Sequence, residues 1–224
     1  MAFSQAGWET IGIDVRGRPS PQAEGTWVEG DITSDDTIRR IGDEFGDGID
    51  ALVNNAAVQF DTSFEATSTE AWRVSLEANL TAAFRLSQVM VEALTARSGA
   101  IVMIGSIHGV ATSRNVFPYA VSKAAMQGLN RSIALEVAPR RVRCNAVLLG
   151  AIDTPMLRAG LARRDGSPDV AVETLRERTP LGFIASPAEV APTILHLAGP
   201  ESRYVTGQSI IIDGGASIQL ATEP

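Results

Sequence analysis

The chain has 224 residues, 45% of them hydrophobic, with 26 acidic against 19 basic side chains and a formal net charge of −7. That length suits one domain burying roughly 70 to 75% of its unfolded surface, and the single cysteine, Cys144 in an apolar run, rules out an internal disulfide framework and reads as a buried small hydrophobe. The acidic balance argues against a nucleic-acid partner, the densest basic patch, Arg140-Arg141-Val142-Arg143, reads as a helix C-terminal cap, and with no 18-residue apolar run and no signal-like N-terminus the expectation is a soluble, cytoplasmic protein without a membrane span.

Residues 1–7 read as the tail of a helix ended by glycine. Residues 10–15 then form a short buried strand with Asp14 near its carboxyl end, followed by a Pro- and Gly-rich loop over 16–25. A second strand over 26–32 leads into a helix over 34–45, and 49–54 is a third strand. Strand, helix, strand implies a parallel sheet. Thr67 and Glu70 have capping-box spacing, opening a long helix whose Trp72, Leu76, Leu80, Phe84 and Leu94 form an expected core stripe. A fourth strand over 100–105 delivers Ser106 at its end, a helix over 118–138 follows, and 141–148 is a fifth strand. Residues 149–185 lack a firm core pattern and read as an irregular lid with charged helical pieces such as 172–178. Ser186-Pro187-Ala188-Glu189 opens a last helix with a capping box. Residues 208–212 are a final strand, and Asp213-Gly214-Gly215 turns the chain.

Chemistry concentrates between Ser106 and Lys123. Tyr119 and Lys123 are one helical turn apart and share a face. A phenol titrates near 10 and is a poor proton carrier at neutral pH; a lysine cation beside it is expected to lower that value and make Tyr119 a usable general acid or base. Ser106 is placed to hold a substrate oxygen by a hydrogen bond. For a tyrosine and lysine at this spacing alone, ordinary helix residues are the competing reading. His108 is either substrate-facing or without a role, and His196, among Ile194, Leu195 and Leu197, reads as a helix-packing histidine.

Together these elements resemble the short-chain dehydrogenase/reductase family from about residue 3 to the end. The resemblance is carried by Asn54-Asn55-Ala56 after a strand, Asn79, Ser106, Tyr119-x-x-x-Lys123, and Asn145-Ala146-Val147 before Ala151-Ile152-Asp153-Thr154-Pro155. It implies an α/β, Rossmann-like doubly wound parallel sheet in a single domain over residues 1–224, with 149–185 as substrate lid. It also implies a catalytic tetrad of Asn79, Ser106, Tyr119 and Lys123, with Asn79 helping to hold a water that connects the lysine to solvent. Tyr119 would exchange the proton, Lys123 would bind the nicotinamide ribose, and Ser106 would orient the carbonyl or hydroxyl. Asp14 matches the acidic residue on the adenosine ribose and favours NAD over NADP, against the pull of the nearby Arg16. Asp31 and Ile32 match residues flanking the adenine, Asn55, Ala56 and Ala57 the segment on the adenosine ribose, and Ile152 and Thr154 the segment beside the nicotinamide amide and pyrophosphate. No metal is implied.

The family opens with a strand and a T-G-x-x-x-G-x-G turn whose amides receive the pyrophosphate, and both are missing here. Gly42 to Gly48 has the same glycine spacing but ends a helix before a strand, and Asp43, Glu44 and Asp47 would repel phosphate. Ala57 stands where the family prefers glycine, and Leu149-Gly150 where it prefers Pro-Gly. The missing strand is central in the family's sheet, so either its neighbours close up, another chain fills the gap, or the sequence starts late; the last is the leading expectation. The resulting functional expectation is an NAD-dependent oxidoreductase interconverting a secondary alcohol and a ketone. The alternatives are a protein of this fold without a dinucleotide, serving as isomerase, dehydratase or cyclase, or a non-catalytic subunit. By analogy the expected assembly is a homodimer or homotetramer, using the tyrosine-bearing helix, the helix before it, and residues 210–221.

Overall fold

The computed structural model describes residues 2–19, 23–165 and 168–219. Parts of four expected segments lie outside the described residues: residue 1, residues 20–22 of the 16–25 loop, residues 166–167 of the lid, and residues 220–221 of the C-terminal contact.

The chain begins with a short helix α1 (Ala2–Gln5) that ends before Gly7 in the left-handed region. Strands β1 (Ile11–Asp14) and β2 (Thr26–Glu29) pair in parallel, with Ile11 opposite Thr26 and Asp14 opposite Glu29. Helix α2 (Asp35–Phe45) leads to β3 (Ala51–Asn54). Gly46 closes α2 and Gly48 has φ +146°, so the glycines from 42 to 48 end a helix, as their order requires. Helix α3 (Thr69–Leu76) passes through a π-helical turn at Glu77–Thr81 into α4 (Ala82–Val89) and α5 (Val91–Arg97). Strand β4 (Ala100–Ser106) is followed by α6 (Phe117–Val137) and β5 (Arg143–Leu149). Helices α7 (Pro155–Asp165), α8 (Pro168–Glu177) and α9 (Pro187–Ala198) precede β6 (Ser209–Ile212).

All pairings are parallel, but the strands form two sheets, β1-β2 and β3-β4-β5-β6. The flanking strands therefore do not close up: β1 and β3 share no hydrogen bonds, and each is an edge. Burial follows. Every residue of β4 is buried, whereas the residues of β1 are half-buried or exposed and only Asn54 of β3 is buried. Core packing still joins the two sheets. One cluster brings Ile13 and Ile32, Ile38 and Ile41 of α2, Leu52 of β3, and Met126 and Val137 of α6 together with Ile101, Met103 and Cys144. A second cluster, on Val102, Ile104 and Val147, carries Phe3, Trp8 and Leu197.

Three expectations change. Ser68, not Thr67, caps α3: its side chain accepts from Ala71 N at 3.1 Å, while the Thr67 hydroxyl donates to Ser63 O at 2.5 Å and Glu70 pairs with Arg73. The expected stripe is core only at Leu94; Trp72, Leu76 and Leu80 are half-buried and Phe84 is exposed. Buried positions run instead through Ser75, Asn79, Ala82, Ala83 and Leu86, with the π turn placing Asn79 inward. The segment over 149–185 is more ordered than expected, with α7 and α8 folded on each other.

Candidate active site

Ser106 ends β4 and is buried, and its Oγ accepts from His108 N at 3.2 Å, turning the chain into a short 3₁₀ segment, Ile107–Gly109. That segment lies against α6. A Cβ on Gly109 would stand 2.7 Å from Lys123 O, so only glycine lets the loop approach this closely, and Gln127 Nε2 donates to Gly109 O at 3.0 Å. Pro118 occupies the first turn of α6, where its missing N–H costs nothing. One residue later comes Tyr119, close enough to Ser106 for the serine hydroxyl to favour its phenolate. A turn further, Lys123, the only lysine in the chain, is buried and donates from Nζ to Ile104 O at 2.8 Å. Its ammonium lies 5.6 Å from the Tyr119 ring centre. Sequence-distant Ser106, Tyr119 and Lys123 therefore meet at the carboxyl end of β4.

The electrostatics differ from the sequence expectation. Burial pushes the Tyr119 phenol above its ordinary value, with the Ser106 hydrogen bond pulling the other way. Burial also pushes Lys123 down to about 8. The charge of Lys123 is thus retained at neutral pH, in a place where desolvation opposes it.

Asn79 is fully buried, but its partners are structural. Its Oδ1 accepts from Val58 N at 2.7 Å, and its Nδ2 donates to Val58 O at 2.9 Å and to Ser122 Oγ at 3.0 Å. Ser122 in turn donates to Tyr119 O at 2.7 Å. Asn79 therefore ties the β3–α3 loop to α6 beside Tyr119 and Lys123. Sequence reasoning missed Ser122 and Val58, although Ser122, one position before Lys123 and buried, lies opposite Asn79.

The residues expected to hold a dinucleotide lie at or beyond the ends of β1, β2, β3 and β5. Asp14 ends β1, and its Oδ1 accepts from Arg16 N at 2.9 Å. Arg16 Nε also lies 3.5 Å from that oxygen, leaning on the carboxylate rather than opposing it. Asp31 caps its own turn by accepting from Thr33 N and Oγ1, and Ile32 packs on the core. Asn55 and Ala56 are exposed and Ala57 is half-buried beyond β3; Ile152 is buried and bridges to Ala185, and Thr154 Oγ1 accepts from Leu157 N at 3.2 Å. Two buried polar groups suit a bound polyhydroxyl ligand. Lys123 has one hydrogen-bond acceptor for its three N–H groups among the described residues, and Asn54 Oδ1 has none. These residues fit the ribose ends of a dinucleotide. Among the described residues no glycine-rich turn leads from a strand into a helix to cradle its pyrophosphate.

Other side chains settle into structural places. His108 lies near the site, its ring 6.0 Å from that of Tyr119 and its Nδ1 3.2 Å from Thr112 Oγ1. His196, expected to pack, is exposed in the last turn of α9. Cys144 is buried, and burial pushes its thiol up to about 12, far from a nucleophile. Of the basic patch, Arg143 is the cap: its buried guanidinium donates to Leu197 O, Ala198 O and Gly199 O at the end of α9 and to Ser202 Oγ. No group of three His, Cys, Asp or Glu that could hold a metal occurs among the described residues, and none of their helices is long and apolar enough to cross a membrane.

The chain matches the family model described as enoyl-(acyl carrier protein) reductase over residues 2–217. It is 38% identical over 184 residues to the 3-oxoacyl-[acyl-carrier-protein] reductase of Thermotoga maritima, covering 82% of this chain and 72% of that protein. Among solved structures, ligand-free aldohexose dehydrogenase of Thermoplasma acidophilum superposes with a TM-score of 0.89 at 30% identity, over 100% of this chain and 89% of that one. The gluconate 5-dehydrogenase of Burkholderia cenocepacia, in complex with NADP and tartrate, superposes with a TM-score of 0.78 at 27% identity, over 86% and 75% of the chains. With the serine, tyrosine and lysine gathered at one strand end and the sequence match spanning nearly the whole chain, this protein belongs to the short-chain dehydrogenase/reductase family.

Proposed function

We propose that the protein interconverts a secondary alcohol and a ketone by hydride transfer with a nicotinamide dinucleotide, NAD in preference to NADP, and that Tyr119 is its acid/base. The observation that carries this reading is the meeting of buried Ser106, Tyr119 and Lys123 at one strand end, with Lys123 N–H groups left over that suit a ribose. The dinucleotide, when bound, supplies or accepts the hydride. The protein's part is orientation and proton transfer. Ser106 Oγ holds the substrate oxygen while Tyr119 Oη gives up its proton to a forming alkoxide, or takes one from an alcohol being oxidised. Lys123, charged at neutral pH, stabilises the phenolate left behind. Asn79 and Ser122 keep the first turn of α6 in register with the loop at Val58. Asp14 at the end of β1 would accept from ribose hydroxyls and repel a 2′-phosphate, and the lid over 149–185 would cover the substrate. A homodimer or homotetramer fits the exposed apolar side chains of the helices before and at the site, Phe84 and Leu135.

Calorimetric titration of the 224-residue chain with NADH and with NADPH tests the reading. Micromolar binding with NADH tighter is expected, and Asp14→Ala should bring the two affinities toward each other. Binding of neither nucleotide by a folded chain would sink the hydride-transfer reading, and an unchanged ratio in the variant would remove Asp14 as the ribose reader.

A further inference from the structure

We infer that the cavity between the β3–α3 loop and α7 selects a small hydroxy acid or its oxo counterpart, with Arg163 receiving the carboxylate; this deepens, and rests on, the oxidoreductase reading above. The cavity holds about 1130 Å³ and is walled, among the described residues, by Gln59, Asp61, Thr62, Ser63, Asn115 and Arg163 together with Phe60 and Ala66. The amide, hydroxyl and charged groups of that wall would lose hydrogen-bond partners to an acyl chain or a sterol and keep them with a hydroxylated acid. It adjoins the catalytic group: Phe117 N donates to Thr62 O at 3.2 Å, two residues before Tyr119, and the same loop is pinned by Asn79 at Val58.

Within the cavity the charges are not equally available. Arg163 Nε and Nη2 both donate to Asp61 Oδ2, at 2.8 and 2.6 Å, and Gln59 Nε2 donates to Asp61 Oδ1 at 3.1 Å. The Asp61 side chain is 9% exposed and that of Arg163 is 51% exposed. Asp61 is thus turned inward with both oxygens engaged, and it orients the arginine. The guanidinium keeps its Nη1–Nη2 edge, the planar fork that takes a carboxylate through two hydrogen bonds. A ligand entering here meets the cation. The amides and hydroxyls of Asn115, Thr62 and Ser63 then suit the hydroxyl groups of such an acid.

Titration calorimetry with gluconate and with glucitol, which differ only in carboxylate against CH₂OH, tests the assignment, with and without saturating NADH. Gluconate should bind at least ten-fold more tightly than glucitol. Arg163→Gln should erase that difference and Arg163→Lys should keep part of it, with melting temperatures confirming that each variant is folded. Equal affinities, no gluconate binding, or an Arg163→Gln variant that still discriminates would overturn the proposal. Oxidation of cyclohexanol with NAD or NADP in the same preparations separates the two readings. Turnover without gluconate selectivity defeats the carboxylate site alone. Selective gluconate binding with no dinucleotide-dependent oxidation of either cyclohexanol or gluconate defeats the oxidoreductase reading and leaves Arg163 as a carboxylate-binding residue.

Discussion

In the proposed reaction Tyr119 loses and regains a proton where burial disfavours its anion, and the cation set against its ring is Lys123. Tyr119→Phe keeps the ring in its buried place and removes the proton. Turnover should fall by a factor of about 10³ or more with an unchanged melting temperature, and near-normal turnover in steady-state assays would take Tyr119 out of the mechanism. Lys123 makes a stability claim as well. Its folded-state value of about 8 lies below the ordinary value of 10.5, so folding disfavours its charged form. That cost is present in full below about pH 8, shrinks as pH rises toward 10.5, and vanishes above it. Lys123→Met should therefore abolish activity yet raise the melting temperature at pH 7 by about 2 to 6 °C. The gain should shrink between pH 8 and 10. Thermal melts of both proteins across that range check the sign, and a gain that is constant or grows with pH would refute it.

At the scale of elements, the buried cation Arg143 joins β5 to the carbonyl end of α9. Four acceptors converge on it, and the helix end gains the positive charge its dipole favours. Arg143→Met removes every one of these donors while keeping much of the apolar stem. Unfolding in urea should show a loss of about 2 to 4 kcal/mol, and a loss below about 0.5 kcal/mol would mean that the carbonyls find other partners. The opposite end of α9 is held by Glu189, whose carboxylate accepts from Ser186 N at 2.7 Å and from Ser186 Oγ at 2.9 Å. Both ends of this helix are thus closed by side chains, one local in sequence and one 54 residues away. In the α3–α5 stretch, by contrast, the helix bends its own periodicity: the π turn at Glu77–Thr81 brings Asn79 onto the buried face and leaves Phe84 outside.

Over the whole molecule the divided sheet sets the pattern of stability. Strands β4 and β5 are paired on both sides and buried, whereas β1 and β3 each end a sheet, with unpaired backbone groups along one edge. Such edges open at lower cost. Hydrogen exchange should find the amides of β4 and β5 protected at least 100-fold more than those of β1 and β3. Uniform protection across all four would show that the two sheets behave as one continuous unit in solution. The apolar cluster that brings Ile13 of β1 and Ile38 and Ile41 of α2 against Leu52 of β3 and Ile101 of β4 is what holds the two halves together.

Much of this was legible because it rests on local rules. Tyr119 and Lys123 share a helix face by spacing alone, Ser186 and Glu189 are a capping box by type and interval, and the alternation of strands and helices dictates parallel pairing. Cys144 was readable as core from its apolar neighbours. Other features depend on what a residue meets from afar. Thr67 lost the cap to Ser68 because its hydroxyl found Ser63 O, Asn79 found Val58 and Ser122, and Arg143 found a helix end more than 50 residues on. The direction of the Tyr119 shift also lay beyond the sequence, because it is set by burial, and the depth of the site is a property of the folded chain. Periodicity and helical spacing are properties of neighbouring residues, so the parallel α/β architecture and the serine, tyrosine and lysine can be read along the chain. The divided sheet, the Asp61–Arg163 pairing and the depth at which Lys123 is buried cannot, since strand pairing, charge orientation and desolvation are set by groups that the chain brings together from far apart.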